Sequence, residues 1–159
     1  MDITMNTSET NKTVPASKPK LWSPNAAANW SLIFSPAFGA ILHAKNWTEL
    51  GELNKANTSK KWAKGVIIFF VIIVLIPSIP ILDRIIQLVG LILLLKWYFS
   101  HGREQIKYVK EKYGQNYEKK KWGQPLLIGI GCLAGFIICA IIINIIYSIL
   151  FGGLIDLKI

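Results

Sequence analysis

The sequence has few of the side chains from which enzymes and metal sites are usually built. It contains two histidines, His43 and His101, and two cysteines, Cys132 and Cys139, among 159 residues. The histidines stand in separate polar segments with no cysteine or carboxylate at metal-ligand spacing, so we expect structural or interfacial histidines and no metal. The cysteines are about 10 Å apart along a helix axis, too far for a disulfide, and we expect them to be packing residues.

Acidic residues are also scarce, with 9 Asp and Glu against 18 Lys and Arg, for a formal charge of +9. No Ser, His and acid set and no phosphate-binding glycine loop is present, so we predict a protein that is not an enzyme and has no cofactor. The basic residues flank apolar runs and belong to no nucleic-acid module. We therefore expect them to contact anionic lipid headgroups and not nucleic acid.

The first 20 residues lack the apolar core of a cleaved signal peptide. They consist mainly of Ser, Thr, Asn and Lys with two prolines, which predicts a disordered polar tail over residues 1–20. The chain as a whole is rich in hydrophobic residues, at 52%, with a mean hydropathy of +0.41. Because an ordinary soluble domain is less apolar, we predict one helical membrane domain over residues 21–159.

The apolar residues fall into runs that predict membrane helices. Residues 65–82 and 85–99 are apolar blocks separated by the pair Asp83 and Arg84, and a proline break at Pro77 and Pro80 lies near the end of the first block. This pattern predicts a hairpin of two short helices. Residues 125–151 predict the longest span, about 40 Å as a helix. The predicted fold class is all-α, a multi-span membrane helical bundle of about four helices.

A more polar segment, residues 24–44, predicts the first membrane helix. Ser23 and Pro24 signal its start, and Pro36 removes a hydrogen bond near its middle. We expect a kinked span, with a re-entrant or interfacial helix as the alternative.

Small residues and tryptophans predict how these helices contact their surroundings. We expect a helix-packing or partner interface at Pro36, Gly39, Gly131, Gly135, Cys139 and Asn144. Tryptophans beside apolar runs predict anchors at the headgroup level, and these are Trp22, Trp30, Trp47, Trp62, Trp97 and Trp122.

Two basic segments, residues 45–64 and 100–124, separate the predicted spans. The first is predicted to be mainly a connecting loop, with a short amphipathic helix as the alternative. In the second, a stripe formed by Ile106, Val109, Tyr113 and Tyr117 predicts a basic amphipathic helix at the membrane interface that stops near Gly114. The positive-inside rule places both segments in the cytoplasm. A spanning first helix would then put the N-terminus outside, and a re-entrant one would leave it inside.

Two stretches of the sequence resemble a known group of proteins. The run WSPNAAANWSLIFSPAFGAILHAKNWTELG, from Trp22 to Gly51, resembles the opening segment of a group of small uncharacterised bacterial inner-membrane proteins. The run YGQNYEKKKWGQPL, from Tyr113 to Leu126, resembles the segment before a later helix in the same group. The resemblance implies a multi-pass protein of the bacterial cytoplasmic membrane and implies no particular activity.

Together these features predict a small inner-membrane accessory or interaction protein that packs against a membrane partner or itself. Two alternatives remain open: an immunity-type protein that neutralises a membrane-active toxin, and a subunit of an oligomeric channel or transporter. Polar residues at membrane depth are limited to Gln87, Asn144 and the break at Ser35 and Pro36. These are too few to line a pore within one chain.

Overall fold

The computed structural model describes the backbone of residues 18–76 and 79–155 and the side chains of residues 18–76 and 79–151. Within these ranges the chain is mostly helical, which confirms the all-α expectation. The α-helices are α1 (Pro24–Trp30), α2 (Pro36–Glu49), α3 (Leu53–Val74), α4 (Pro80–Trp97), α5 (Arg103–Tyr113) and α6 (Gly123–Ile155). A π-helical turn, Tyr98–Gly102, joins α4 to α5, and the strands β1 (Lys20–Leu21) and β2 (Glu118–Lys119) pair in parallel.

The predicted polar tail lies mostly outside the described residues, but its last residue is part of the fold. Lys20 belongs to β1, and its Nζ is 2.8 Å from the carboxylate of Glu118 in β2. Glu118 donates its backbone N–H to the carbonyl of Pro19 at 3.0 Å, and Lys120 donates to the carbonyl of Leu21 at 2.8 Å. The chain before α1 is therefore attached to the segment that leads into α6.

The helix predicted over residues 24–44 is two helices with a break at residues 31–35. Ser23 caps α1 as expected, because its Oγ accepts the N–H of Ala26 at 3.4 Å. Pro36 has no N–H and its ring clashes with a preceding helical turn, so it begins α2 instead of kinking α1. With 7 and 14 residues, neither helix reaches across a hydrocarbon core of ~30 Å. The expectation of one kinked span is wrong.

The predicted loop at residues 45–64 is largely helical. α2 continues to Glu49, and α3 begins at Leu53 and runs on into the apolar block. Between them Gly51 has φ +77°, a conformation that favours glycine. The polar half of α3 packs through small residues at helical spacing, which are Ala56, Ser59, Ala63 and Val66.

The predicted hairpin is present, but its turn comes before Asp83 and Arg84. α3 ends at Val74, and α4 begins at Pro80, where the missing N–H of proline is not needed. Asp83 lies in the first turn of α4, where the helix dipole stabilises a carboxylate, and Arg84 follows it. The boundaries 65–82 and 85–99 are therefore wrong, and Pro77, part of the predicted break, lies outside the described residues.

α5 ends where the sequence predicts, and part of its apolar side packs inside the protein. Gly114 terminates the helix with φ +57°. Val109 is buried, and Ile106 packs against the central core cluster of the protein. At these two residues the stripe on α5 contacts the protein's own helices. A location of α5 at the membrane interface stays a prediction.

α6 is the one described helix that is long and apolar enough to cross a membrane, over Gly123–Phe151. Only 6% of its most apolar window is buried in the structure. α4 carries Asp83, Arg84 and Lys96, and the first half of α3 is polar. One such helix favours association with a membrane, and a multi-span bundle goes beyond what helix length and composition establish.

The molecule divides into two regions with different chemistry. We call residues 18–66 and 96–124 the head, and residues 67–76, 79–95 and 125–151 the stem. Every buried Ala, Leu, Val and Trp side chain in the described ranges lies in the head, as do all described lysines and glutamates. The central cluster of the head consists of Ala28, Ala40, Ala63 and Trp97. The stem, in contrast, exposes Ile, Leu and Val side chains along α3, α4 and α6.

Candidate functional site

A buried polar network connects the chain before α1 to α2 and α5. The amide of Asn46, which is 0% exposed, accepts the N–H of Trp22 at 3.0 Å and donates to the Trp22 carbonyl at 2.8 Å. It also donates to Oε1 of Gln105 at 3.2 Å, and Nε2 of Gln105 donates to the carbonyl of His43 at 2.9 Å. Because each amide atom has a partner, the network offsets the cost of burying these groups. It fixes three separate segments of the head relative to one another.

His43 lies at the centre of this network and is 1% exposed. Its Nε2 is 3.2 Å from the carbonyl oxygen of Pro24, so Nε2 carries a proton and donates it. Nδ1 is buried without a hydrogen-bond partner. Burial lowers the pKa of His43 to about 4, although the bond to Pro24 opposes that shift. The imidazole is therefore neutral at pH 7.

Trp97 fills the middle of the head and is 0% exposed, with its ring centroid 5.4 Å from that of His43. Gly39 lies directly against it. A Cβ added to Gly39 would be 2.5 Å from the Trp97 ring and 1.9 Å from Oγ of Ser31, so only glycine fits at this position. Oγ of Ser31 is itself held by donating to the carbonyl of Ala27 at 2.9 Å. α1, α2 and the end of α4 meet closely at this glycine.

The surface of the head combines lysines with aromatic rings. Nζ of Lys55 is 3.0 Å from Glu104 and lies 4.7 Å and 5.0 Å from the ring centroids of Trp47 and Tyr108. The hydrogen bond to Glu104 raises the pKa of Lys55. The hydroxyl of Tyr108 donates to Glu52 at 3.0 Å. These contacts connect α5 to the start of α3 and to α2.

A second cluster of lysines against an aromatic ring surrounds Trp22. Nζ of Lys120 is 3.1 Å from Glu49 and 4.6 Å from the Trp22 ring centroid, and Nζ of Lys45 is 5.6 Å from the same ring. The indole N–H of Trp22 donates to the carbonyl of Lys121 at 3.1 Å. Trp22 is thus packed between α2 and the segment before α6, which are distant in the sequence.

His101, in the π-helical turn, contacts Trp62 of α3, and both residues lie in the head. Nε1 of Trp62 donates to Nε2 of His101 at 3.2 Å, and Nδ1 of His101 is 3.0 Å from Oγ of Ser100. Because an indole N–H only donates, Nε2 is the acceptor and Nδ1 carries the proton. Burial lowers the pKa of His101, which favours this neutral form. The π-helical turn is therefore attached to α3 through a side chain of defined tautomer.

α6 contacts the rest of the chain near its start and along one side. A Cβ added to Gly129 would be 3.1 Å from Phe34, in the break between α1 and α2, and from Phe38 of α2. Further along, Phe136 packs edge to face on Phe70 of α3, with ring centroids 5.5 Å apart. The hydroxyl of Tyr147 also donates to the carbonyl of Leu75, at 2.9 Å. α6 therefore stands beside the hairpin.

The residues predicted for helix packing separate into two sets. Pro36 and Gly39 are buried inside the head, where Gly39 packs against Ser31 and Trp97. Gly131 and Gly135 are exposed, and nothing lies within 4 Å of a Cβ added to either.

Cys139 and Asn144 continue the exposed face of α6. Cys139 is exposed, and the Asn144 side chain donates to the carbonyl of Ala140 in its own helix at 2.9 Å. Among the described residues, no other helix packs on this face at Gly131 and Gly135. Contact with a separate partner stays a prediction.

The tryptophans predicted as headgroup anchors differ in their exposure. Trp47 and Trp97 are 2% and 0% exposed, so they are core residues and the prediction of headgroup anchors is wrong for them. The other four are partly exposed, and these are Trp22, Trp30, Trp62 and Trp122. An anchoring role for these four stays a prediction.

Asn46 and Gln105 were missed at the level of sequence because they are 59 positions apart and neither has a local motif. A signal exists for Gln105. It precedes Val109 by one helical turn, so it lies on the apolar side of α5, where an unpaired amide would be costly. A polar residue on an apolar helical face therefore indicated a buried hydrogen-bond partner.

The contacts described above are packing contacts, hydrogen bonds and ion pairs within the chain. Within the described parts of the chain, no group of three His, Cys, Asp or Glu residues is placed to hold a metal ion. Comparisons with protein-family models, curated proteins and solved structures found no match for the chain. Function is therefore inferred from the residues and their geometry.

Proposed function

We propose that this protein is a small accessory protein of a bacterial inner membrane, which inserts its stem into the bilayer, presents its basic head to the cytoplasm and binds a membrane partner or a second copy without catalysis. The observation that carries the proposal is the exposed apolar surface of α6. Ile138, Ile141 and Ile149 are 56%, 54% and 76% exposed. Transfer of such surface from water to lipid is favourable by about 25 cal/mol per Å².

The hairpin formed by α3 and α4 is the second part of the proposed membrane region. The 18 residues of α4 make a helix about 27 Å long, slightly shorter than a typical hydrocarbon core. Arg84, near the tip, can extend its side chain to the far interface, and local thinning of the bilayer can accommodate the remaining difference.

The orientation follows from the distribution of charge. Among the described Lys and Arg residues, Arg84 is the one that lies outside the head. The positive-inside rule then supports a cytoplasmic head. Because Lys20 pairs with Glu118, the described residues before α1 share that side, so Lys18 and Lys20 agree with the rule instead of opposing it.

The proposed partner surface lies on α6. A shallow groove of about 490 Å³ runs along this helix past Phe136, Ala140, Asn144 and Ser148. Within the described residues, the only hydrogen bond of the Asn144 amide is to a carbonyl of its own helix. In lipid, where water cannot satisfy the rest of the amide, a hydrogen bond from a neighbouring helix is favourable by about 1 kcal/mol.

Purification in mild detergent followed by mass spectrometry tests the proposal. We expect a stoichiometric protein partner or a homo-oligomer that is lost in Asn144→Leu and in Gly135→Leu. Gly90→Leu is the matched control, because a Cβ at Gly90 also has open space around it but Gly90 lies on α4. A toxin as the partner would identify the immunity-type version. A lone monomer that conducts ions or moves solute in liposomes would contradict an accessory role.

A further inference from the structure

A groove of about 540 Å³ lies where the head meets the stem. Its long wall is α3, which contributes Thr58, Lys61, Trp62, Gly65 and Phe69, and Leu93 of α4 lies on the other side. The groove opens to the surface of the protein and does not overlap the buried network of Asn46 and Gln105.

The polarity of the groove changes along its length. Thr58 and Lys61 line the end in the head, whereas Phe69 and Leu93 line the end in the stem. From Thr58 to Phe69 the helix rises about 16 Å. Trp62 stands between the two ends, and its indole N–H is already bonded to His101, so its ring forms a fixed apolar wall. This order of a basic end, an aromatic boundary and an apolar end matches a lipid that lies along the membrane interface.

The basic end of the groove has positive charge that the protein does not neutralise. Lys61 forms no ion pair with the described residues, and neither do Lys60 and Lys64 beside it. Glu104, which also lies in the head, is already paired with Lys55. An anionic group is therefore the complementary ligand for this end.

The middle of the groove is open because of Gly65. Nothing lies within 4 Å of a Cβ added at this position, so the glycine leaves the channel between Trp62 and Phe69 unobstructed. Val66, the next residue, is buried and also lines the groove.

We infer that this groove binds one anionic phospholipid, with the phosphate at Lys61 and Thr58 and an acyl chain along Gly65, Phe69 and Leu93. The inference rests on the proposed membrane location of the stem and names one defined lipid site beyond general attraction to the headgroups. Lys61 favours a lipid with a negatively charged headgroup, and the space beside Gly65 accommodates the acyl chain.

Native mass spectrometry of the full-length protein in detergent tests the site. The protein is titrated separately with phosphatidylglycerol and with phosphatidylcholine of the same acyl chains. We expect one phosphatidylglycerol to be retained per chain, in preference to phosphatidylcholine. Lys61→Gln should weaken retention of phosphatidylglycerol about fivefold, the effect of one basic residue near an anionic surface, and leave phosphatidylcholine unchanged. Gly65→Leu should weaken retention of both lipids, because it fills the channel for the chain.

Matched controls separate this site from general effects. Lys110→Gln removes an exposed lysine of α5, and Gly90→Leu adds a leucine to the stem where space is also open; both should retain lipid as the wild type does. If Lys110→Gln weakens retention as much as Lys61→Gln does, or if Gly65→Leu retains both lipids fully, the site is contradicted. If glycerol 3-phosphate displaces the lipid at equal concentration, the ligand is a free phosphate compound and the lipid assignment is wrong.

Membrane fractionation distinguishes failure of this inference from failure of the proposed function. If the protein resists carbonate extraction from membranes but shows no preference for phosphatidylglycerol, the groove assignment fails and the proposed function stands. If carbonate releases the protein, the membrane location fails and the lipid site fails with it.

Discussion

The head and the stem of this protein are both helical, but they are held together by different forces. In the head, helices meet through alanines, two buried tryptophans and a hydrogen-bonded set of polar side chains. In the stem, large aliphatic side chains point outward, and α6 touches α3 through few contacts, such as Phe136 on Phe70. The head has the interior of a water-soluble domain, whereas the stem has a surface suited to lipid.

This difference shows that hydrophobicity and packing are separate properties of the chain. The most apolar segments, in α4 and α6, are the least buried, and the more polar segment from Trp22 to Glu49 contributes most of the core. Substitutions of buried residues in the head should therefore have large effects on stability, and substitutions in the stem should have small effects.

The largest expected effect is that of Trp97→Ala. Loss of a fully buried tryptophan typically costs about 3–5 kcal/mol of the free energy of unfolding, so the head should become sensitive to protease while the protein stays in the membrane fraction. The matched change in the stem, Ile138→Ala, removes a side chain that is 56% exposed and should leave protease resistance unchanged. Equal protease sensitivity of the two variants would contradict the contrast between the regions.

Low pH should lower the free energy of unfolding of the head, because the unfolded chain protonates His43 more readily than the folded protein does. Its pKa is about 4 in the folded protein, below the unfolded value of 6.5, so the unfolded chain binds more protons between these values. Stability is complete above pH 6.5 and should fall by about 3 kcal/mol as the pH decreases to 4. Urea titrations at several pH values, followed by tryptophan fluorescence, measure this slope.

His43→Phe is the variant that checks the source of the slope. It should lower the stability at pH 7 but flatten the pH dependence. His101→Gln should remove only a smaller part of the pH dependence of stability, since His101 is partly exposed. An unchanged slope in His43→Phe would show that other groups control the acid response.

Two glycines give a direct comparison of packing. Gly39→Ala should destabilise the head by about 1–3 kcal/mol, because the new methyl group would overlap Ser31 and Trp97. Gly131→Ala should be neutral or slightly stabilising, because space around it is open and alanine favours a helix. Thermal unfolding of both variants in the same detergent measures the difference, and a stable Gly39→Ala protein would argue against the close contact of α2 with Trp97.

The smallest expected effect concerns the surface of the head. Lys55→Gln removes the partly exposed pair with Glu104 and the contacts to two aromatic rings, which should cost about 1 kcal/mol and less at high salt. Lys107→Gln removes an exposed pair with Glu111 within α5 and should cost about 0.3 kcal/mol. Identical urea midpoints for the two variants would show that the aromatic contacts add nothing.

The sequence was a good guide to features that depend on neighbouring residues. The cap at Ser23, the stop at Gly114 and the long apolar α6 follow from local chemistry and are present in the structure. The hairpin was also predicted, although its turn lies before Asp83 because Pro80 is favoured at a helix start.

The features that depend on distant residues were predicted poorly. Residues 24–44 resemble a weak membrane span because alanines and aromatics raise their hydrophobicity. The structure shows that the same alanines allow close contact of helices in the head, where Asn46 and Gln105 meet across 59 positions. A tryptophan beside an apolar run fits both a headgroup anchor and a core, and only the fold distinguished Trp97 from Trp62.

The central claim is that the whole head, including the chain before α1, lies on the cytoplasmic side of the membrane. Single cysteines at Lys18→Cys and Lys110→Cys, in a background with Cys132→Ala and Cys139→Ala, can be labelled with a membrane-impermeant maleimide in intact spheroplasts and in inverted vesicles. We predict that both positions react only in inverted vesicles. Labelling of Lys18→Cys in spheroplasts and Lys110→Cys in inverted vesicles would place the two halves of the head on opposite sides of the membrane and contradict the account.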